Sequence, residues 1–71
     1  MSLAETPLEK ARRHVREGEQ LVSQQAIRVE RLRRNGHDIC LAEELLVAFE
    51  QTLTIMREHL AEEERMHGGK G

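Results

Sequence analysis

The chain has 71 residues, of which 34% are charged and 38% hydrophobic, with Phe49 the one aromatic residue. A chain this short forms at most one domain and buries only about 60% of the surface that its unfolded state exposes, so its stability is marginal without further support. The formal net charge of −2 argues against nucleic-acid binding, because neutralising phosphates requires an uncompensated basic face.

The single cysteine, Cys40, leaves no internal disulfide and indicates a reducing, cytoplasmic setting. The longest apolar run, residues 45–49, is far shorter than the roughly 20 residues of a membrane-spanning helix, and the first residues lack a hydrophobic signal region. We therefore expect a cytoplasmic protein without a membrane partner.

The first predicted element is a helix over residues 7–35, preceded by an N-terminal arm over residues 1–6. Thr6 suits the N-cap, Pro7 the first turn and Glu9 the reciprocal position of a capping box. Asn35 and Gly36 both tolerate the left-handed conformation that ends a helix. A turn over residues 35–38 is therefore expected.

A second helix is predicted over residues 39–66, with Asp38 as its N-cap. The glycine-rich residues 68–71 are expected to form a disordered tail. The predicted domain is thus one helical hairpin over residues 7–67.

Seam residues recur at heptad spacing in both predicted helices, as in a coiled coil. In the first helix the series is Leu8, Ala11, Val15, Gly18, Val22, Gln25, Val29 and Leu32. In the second helix it is Ala42, Leu46, Phe49, Leu53, Met56, Leu60 and Glu63. If the chain folds back, residues whose numbers sum to 74 or 75 face each other, including Gly18 with Met56 and Gln25 with Phe49. The sequence therefore predicts an all-α, antiparallel two-helix hairpin.

The two helices carry opposite charge. Residues 7–35 hold eight basic and four acidic side chains, net +4, whereas residues 38–67 hold two basic and eight acidic ones, net −6. Antiparallel packing should bring the acidic residues 62–65 beside residues 10–16, and residues 42–44 beside residues 31–34. Each exposed pair contributes about 0–1 kcal/mol, but together they favour this orientation.

Further apolar residues predict association beyond the hairpin. Leu45 and Thr52 widen the apolar surface of the second helix, and Leu21 widens that of the first, as in helices that pack against two neighbours. We therefore predict a homodimer that forms a four-helix bundle. Three aliphatic residues off the heptad series are candidate partner-binding residues, although scattered exposed aliphatics are also ordinary: Ile27, Val47 and Ile55.

Two groups of side chains have the chemistry of a metal or redox site. They are His37, Asp38 and Cys40 at the turn, and His14, His59 and Glu63 beside the seam. Structural zinc usually takes four ligands at paired spacings, and neither group has a second pair. We therefore expect no cofactor and no bound metal, with a metal- or redox-linked bundle as the alternative.

Three segments of the chain resemble a group of short proteobacterial proteins of unknown function. The segments are HVREGE at 14–19, LRRNGHD at 32–38 and AEELLVAF at 42–49. They match the patterns H-V-x-E-G-E, L-x-x-x-G-H-D and A-E-x-L-L-x-x-F of that group, and the resemblance covers most of residues 8–62. It implies a helical hairpin and brings no activity. The group often has threonine after the turn aspartate, where this chain has Ile39, so Asp38 alone is left to cap the second helix.

The sequence contains no catalytic constellation, so we expect no enzymatic activity. The heptad series predict a protein-interaction or structural hairpin, regulatory or adaptor in role, that binds an unknown protein. His37 has no evident structural role at the tip of the hairpin, which makes it a further candidate partner-binding residue.

Overall fold

A computed structural model describes residues 4–67 and contains two helices, α1 (Pro7–Arg34) and α2 (Cys40–His67). Each helix has 28 residues, and no strand is present in this part of the chain. The helices pack against each other along their length as a hairpin, as predicted. The predicted disordered tail and the first three residues of the predicted N-terminal arm lie outside the described residues.

The start of α1 is fixed by the predicted capping box. The Thr6 hydroxyl accepts a hydrogen bond from the Glu9 amide at 3.1 Å, and the Glu9 carboxylate accepts one from the Thr6 amide at 3.0 Å. Pro7 occupies the first turn, where its missing N–H costs nothing. Two otherwise free backbone donors are thereby satisfied, and the predicted start of the helix is confirmed.

The end of α1 is a Schellman motif centred on Gly36. This glycine has a φ of 76°, in the left-handed region, whereas Asn35 has a φ of −90° and does not share that conformation. The Gly36 amide donates to the Arg33 carbonyl at 3.1 Å, and the His37 amide donates to the Leu32 carbonyl at 3.0 Å. His37 therefore has a structural role after all, through its backbone N–H.

Helix α2 begins at Cys40, one residue later than predicted. The Ile39 carbonyl accepts the first helical hydrogen bond, from the Glu43 amide at 2.8 Å, so Ile39 and not Asp38 occupies the N-cap position. Asp38 still satisfies a free donor, because its Oδ1 accepts from the Cys40 amide at 3.0 Å. This two-residue contact is an Asx turn, which performs the capping function one position early.

The predicted seam is the interface between the helices. In α1, residues of the series are buried or half-buried throughout, with Ala11, Val15, Gly18, Gln25 and Val29 the buried members. In α2, Leu53 is buried and the other members of its series are half-buried. We call these two series the inner seam. No side chain in residues 4–67 is fully buried, so the core of one hairpin is thin.

Close helix approach depends on Gly18. A Cβ at this position would lie 3.0 Å from the Met56 sulfur and 3.1 Å from Leu53 Cδ1. The predicted pairing of Gly18 with Met56 is therefore confirmed. Glycine inside a helix costs about 1 kcal/mol relative to alanine, and this contact is the packing that compensates for it.

Gln25 places a polar side chain in the inner seam, where it is 7% exposed. Its Nε2 donates a hydrogen bond to the Ala42 carbonyl oxygen at 2.9 Å. The sequence predicted a buried amide at this position but not its acceptor, which belongs to the backbone of α2.

Ion pairs cross between the helices at two places. Arg33 pairs with Glu43 at 3.2 Å, as predicted for residues 31–34 and 42–44, and Arg57 pairs with Glu19 at 3.2 Å. Segments 10–16 and 62–65 both contribute to the inner seam, but within residues 4–67 no ion pair joins them. Arg13 pairs with Glu5 and Glu17 instead.

Neither α1 nor α2 combines the length and the apolar character that crossing a membrane requires.

Candidate functional site

A second stripe runs along α2 beside the inner seam. Each of its members immediately precedes an inner-seam residue, and we call them the outer stripe: Leu41, Leu45, Ala48, Thr52 and Ile55. Because one residue corresponds to about 100° of rotation around a helix, the outer stripe lies roughly at a right angle to the inner seam. Beyond Ile55 the same spacing falls on the polar residues His59 and Glu62 and then on Met66.

The outer stripe is apolar and exposed. Leu41, Leu45 and Ile55 are 76%, 45% and 64% exposed, respectively. A helix with two apolar stripes at a right angle is typical of a bundle in which each helix contacts two neighbours. Helix α1 covers the inner seam, and no other element within residues 4–67 lies over the outer stripe.

The two flanks of the hairpin differ in chemistry. The four residues of the cross-helix ion pairs, Glu19, Arg33, Glu43 and Arg57, each immediately follow an inner-seam residue. They therefore lie on the flank opposite the outer stripe. One flank of the hairpin is closed by charge pairs, and the other presents aliphatic side chains.

An open groove of about 300 Å³ lies on the outer-stripe flank near the turn. Leu41 and Leu45 line it from α2, and Gln25, Arg28 and Leu32 line it from α1. Arg28 has no ion-pair partner among residues 4–67. The groove thus combines an apolar floor with the positive charge of Arg28, and the acidic Asp38 also lines it.

The structure separates the predicted partner-binding residues. Ile55 belongs to the outer stripe, whereas Val47 is one residue, about 100°, away from Ala48 and lies off the stripe. Ile27 is 56% exposed on α1 and lies away from the inner seam. His37 has an exposed side chain at the turn. These four residues therefore do not form one surface.

The His14, His59 and Glu63 group does not converge. Glu63 is the last inner-seam residue and its side chain is 16% exposed, with His59 Nε2 at 3.7 Å and His67 Nε2 at 3.1 Å from its two oxygens. Among the described residues the buried Oε1 thus has an ion-pair contact with His67 but no hydrogen-bond partner. Among residues 4–67 no three histidine, cysteine or acidic side chains are grouped so as to hold a metal ion.

The turn residues make hydrogen bonds at the ends of the two helices. The Asp38 side chain accepts from the Cys40 amide at the start of α2, and the His37 amide donates to the Leu32 carbonyl at the end of α1. Cys40 has a free, exposed thiol. The side chains of these residues do not form a metal-holding group within the described part of the chain.

Glu5 and Arg13 have perturbed ionisation. Arg13 donates from Nε to Glu5 at 2.7 Å and from a terminal nitrogen at 2.9 Å. These hydrogen bonds, aided by the positive charge of Arg13, hold the pKa of Glu5 below its usual value. The same hydrogen bonds, with another to Glu17 at 3.1 Å, raise the pKa of Arg13. Both groups are exposed, and their contact joins Glu5, which precedes α1, to Arg13 within the helix.

No protein-family model, no curated protein and no solved structure matches this chain significantly. The resemblance to the short proteobacterial proteins stays a prediction.

Proposed function

We propose that the chain is a non-catalytic protein-interaction module that acts as a homodimer, with its two hairpins forming a four-helix bundle. The observation that carries the proposal is the outer stripe, an exposed series of residues at coiled-coil spacing beside a second series that is already covered. A partner helix is the natural complement of such a stripe.

The thin core supports the same conclusion. The buried apolar residues of the hairpin are Ala11, Val15, Val29 and Leu53. At about 25 cal/mol per Å² of apolar surface, so few buried side chains offset little of the conformational entropy lost on folding. Burying the outer stripe against a second copy of the chain would add apolar contacts that a single hairpin lacks.

Ile55→Glu tests the dimer, with Val47→Glu as its matched control. Both residues are exposed aliphatics on α2, at 64% and 50%, and both variants add the same charge. We expect Ile55→Glu to yield a helical monomer by multi-angle light scattering, whereas Val47→Glu remains a dimer. Equal masses for the two variants would contradict the proposed interface.

The regulatory or adaptor role requires a second protein, and His37 is the proposed contact. Its side chain is exposed while its backbone amide closes α1, so His37→Ala should leave the fold unchanged. Affinity purification from native cells with mass spectrometry should recover a reproducible partner with the unmodified chain and lose it with His37→Ala. A lone free cysteine suits a reducing, cytoplasmic compartment, where we place the interaction. Recovery of no reproducible partner would contradict the adaptor role.

A further inference from the structure

A mainly basic series of residues on α1 lies on the same flank of the hairpin as the apolar outer stripe of α2. The residues that immediately precede the inner seam of α1 include Lys10, Leu21, Arg28 and Arg31. They lie on the same flank of the hairpin as the outer stripe, since Arg28 and Leu45 line one groove. We call these four residues the basic face.

The charges at the two ends of this flank are unpaired. Within residues 4–67, Lys10 and Arg31 form no ion pair. The same holds for Glu44, which borders the outer stripe, and for Glu62, which falls on its spacing beyond Ile55. Glu17 also falls on the α1 side of this flank, but it already pairs with Arg13 at 3.1 Å. The flank therefore carries free positive charge on one helix and free negative charge on the other.

We infer that the outer stripe of each hairpin is covered by the basic face of a second copy, with the two turns at the same end of the dimer. This inference rests on the proposed self-association and specifies its geometry. The twofold axis would run parallel to the helices, and each α2 would lie between its own α1 and the partner's α1. Pairing α2 with a second α2 would instead bring two chain segments of net charge −6 together.

The twofold symmetry of this dimer determines which residues of the two chains face each other. A twofold axis parallel to the helices keeps equivalent residues at equal height, so contacts between chains obey nearly the same sum of residue numbers as contacts within one chain. Lys10 then faces Glu62 of the second copy, Arg31 lies beside Glu44, and Leu21 meets the middle of the outer stripe. Opposite charges meet at both ends, and aliphatic side chains meet between them.

The size of the contact suits a stable dimer. A 28-residue helix is about 42 Å long, and a helix face is about 10 Å wide. Each chain would contribute two such faces, or roughly 800 Å², which is the usual contribution of one partner to a stable interface. An arrangement that joined only the two α2 helices would bury about half as much.

The native cysteine allows a direct test of the geometry. Cys40 is the one cysteine of the chain, lies at the start of α2 and is exposed, so a nitroxide label can be attached to the unmodified sequence. Neighbouring helix axes lie 8–10 Å apart, so the two α2 axes, at diagonal corners of the bundle, lie about 11–14 Å apart. With the lengths of the two label side chains added, turns at the same end predict a label separation of about 25–30 Å in pulsed electron paramagnetic resonance. A separation above about 40 Å, the length of the helix, would overturn the inference because the turns would lie at opposite ends.

A charge exchange tests which helices meet. Lys10→Glu and Glu62→Lys should each weaken the dimer about tenfold, because each replaces two attractive contacts by repulsive ones. Mixing the two variants should restore the dimer, since every contact between the chains is then attractive. Arg12→Glu, the same charge change on the other flank of α1, is the control and should have little effect. Failure of the mixture to recover wild-type affinity would overturn the α1–α2 contact.

The two proposals fail in different ways. If light scattering shows that the unmodified chain is a monomer, the proposed dimer and its geometry are both wrong. If the chain is a dimer that Ile55→Glu disrupts but the labels on Cys40 are more than about 40 Å apart, self-association stands and only the inferred geometry is wrong.

Discussion

Replacing Gln25 with leucine should stabilise the hairpin, although it removes a hydrogen bond. The Gln25 amide donates to the Ala42 carbonyl at 2.9 Å. That carbonyl lies inside α2, where the amide of Leu46 is its regular helical donor. Loss of Gln25 therefore leaves no buried acceptor without a partner.

The expected rise in the free energy of unfolding is the difference between added apolar burial and a lost hydrogen bond. The lost hydrogen bond contributes about 1 kcal/mol net. Against it, leucine at a site that is only 7% exposed buries about two more hydrocarbon groups than glutamine does, each worth about 0.8 kcal/mol. We expect the free energy of unfolding to rise by about 0.6 kcal/mol.

Urea denaturation followed by circular dichroism at 222 nm measures this change. With a slope of about 1 kcal/mol per M, the midpoint should rise by about 0.6 M. Protein concentration must be held constant, because association adds to the apparent stability. Gln25→Ala is the control and should lower the free energy of unfolding by about 2 kcal/mol, since it loses both the bond and the packing. A lower midpoint for Gln25→Leu than for the unmodified chain would show that the buried amide stabilises the hairpin, contrary to this prediction.

Three further predictions concern other positions. Gly18→Val should lower the free energy of unfolding by about 2 kcal/mol in urea denaturation, because a Cβ there would lie 3.0 Å from the Met56 sulfur, and Met56→Ala should recover part of the loss; an unchanged midpoint would contradict the close approach. Glu63→Leu should raise the melting temperature, because it removes a buried oxygen that has no hydrogen-bond partner; a lower melting temperature would contradict this. In an NMR titration the pKa of Glu5 should lie below 4.5 and return towards it in Arg13→Gln, and the stability from this contact should be present above pH 4.5 and lost as the pH falls through the lowered pKa; an equal pKa in both proteins would contradict the pairing.

Local and periodic features of the fold were predictable from the sequence. The capping box at Thr6 involves residues three apart, and a left-handed Gly36 ends a helix by a general steric rule. The inner seam follows from heptad spacing, and Gly18 had to face a large side chain for two helices to meet there. Each of these depends on residue type and short spacings alone.

Side-chain contacts between distant residues were harder to predict. An ion pair of Arg13 with α2 was expected, but Arg13 pairs with Glu5, which precedes α1, at 2.7 Å. The acceptor of Gln25 is a backbone oxygen, which sequence patterns do not distinguish from its neighbours. Such contacts depend on side-chain rotamers and side-chain length, which the heptad spacing of the sequence does not determine.

The outer stripe was only partly recognised. From the sequence, Leu45 and Thr52 were predicted to widen the apolar surface of the second helix and Ile55 to contact a partner. One surface containing all three was not predicted. The signal was nevertheless present, because each member of the stripe stands one residue before a member of the inner seam. Exposure in the folded hairpin shows which of the two stripes remains available to a partner.

Sedimentation equilibrium of the unmodified chain determines whether the hairpin forms a dimer. We expect a mass of twice the 8.2 kDa chain at concentrations where the helices are fully formed, with dissociation only on dilution. A well-folded species of 8.2 kDa at every concentration would contradict it, because the outer stripe would then stay exposed without a second copy to cover it.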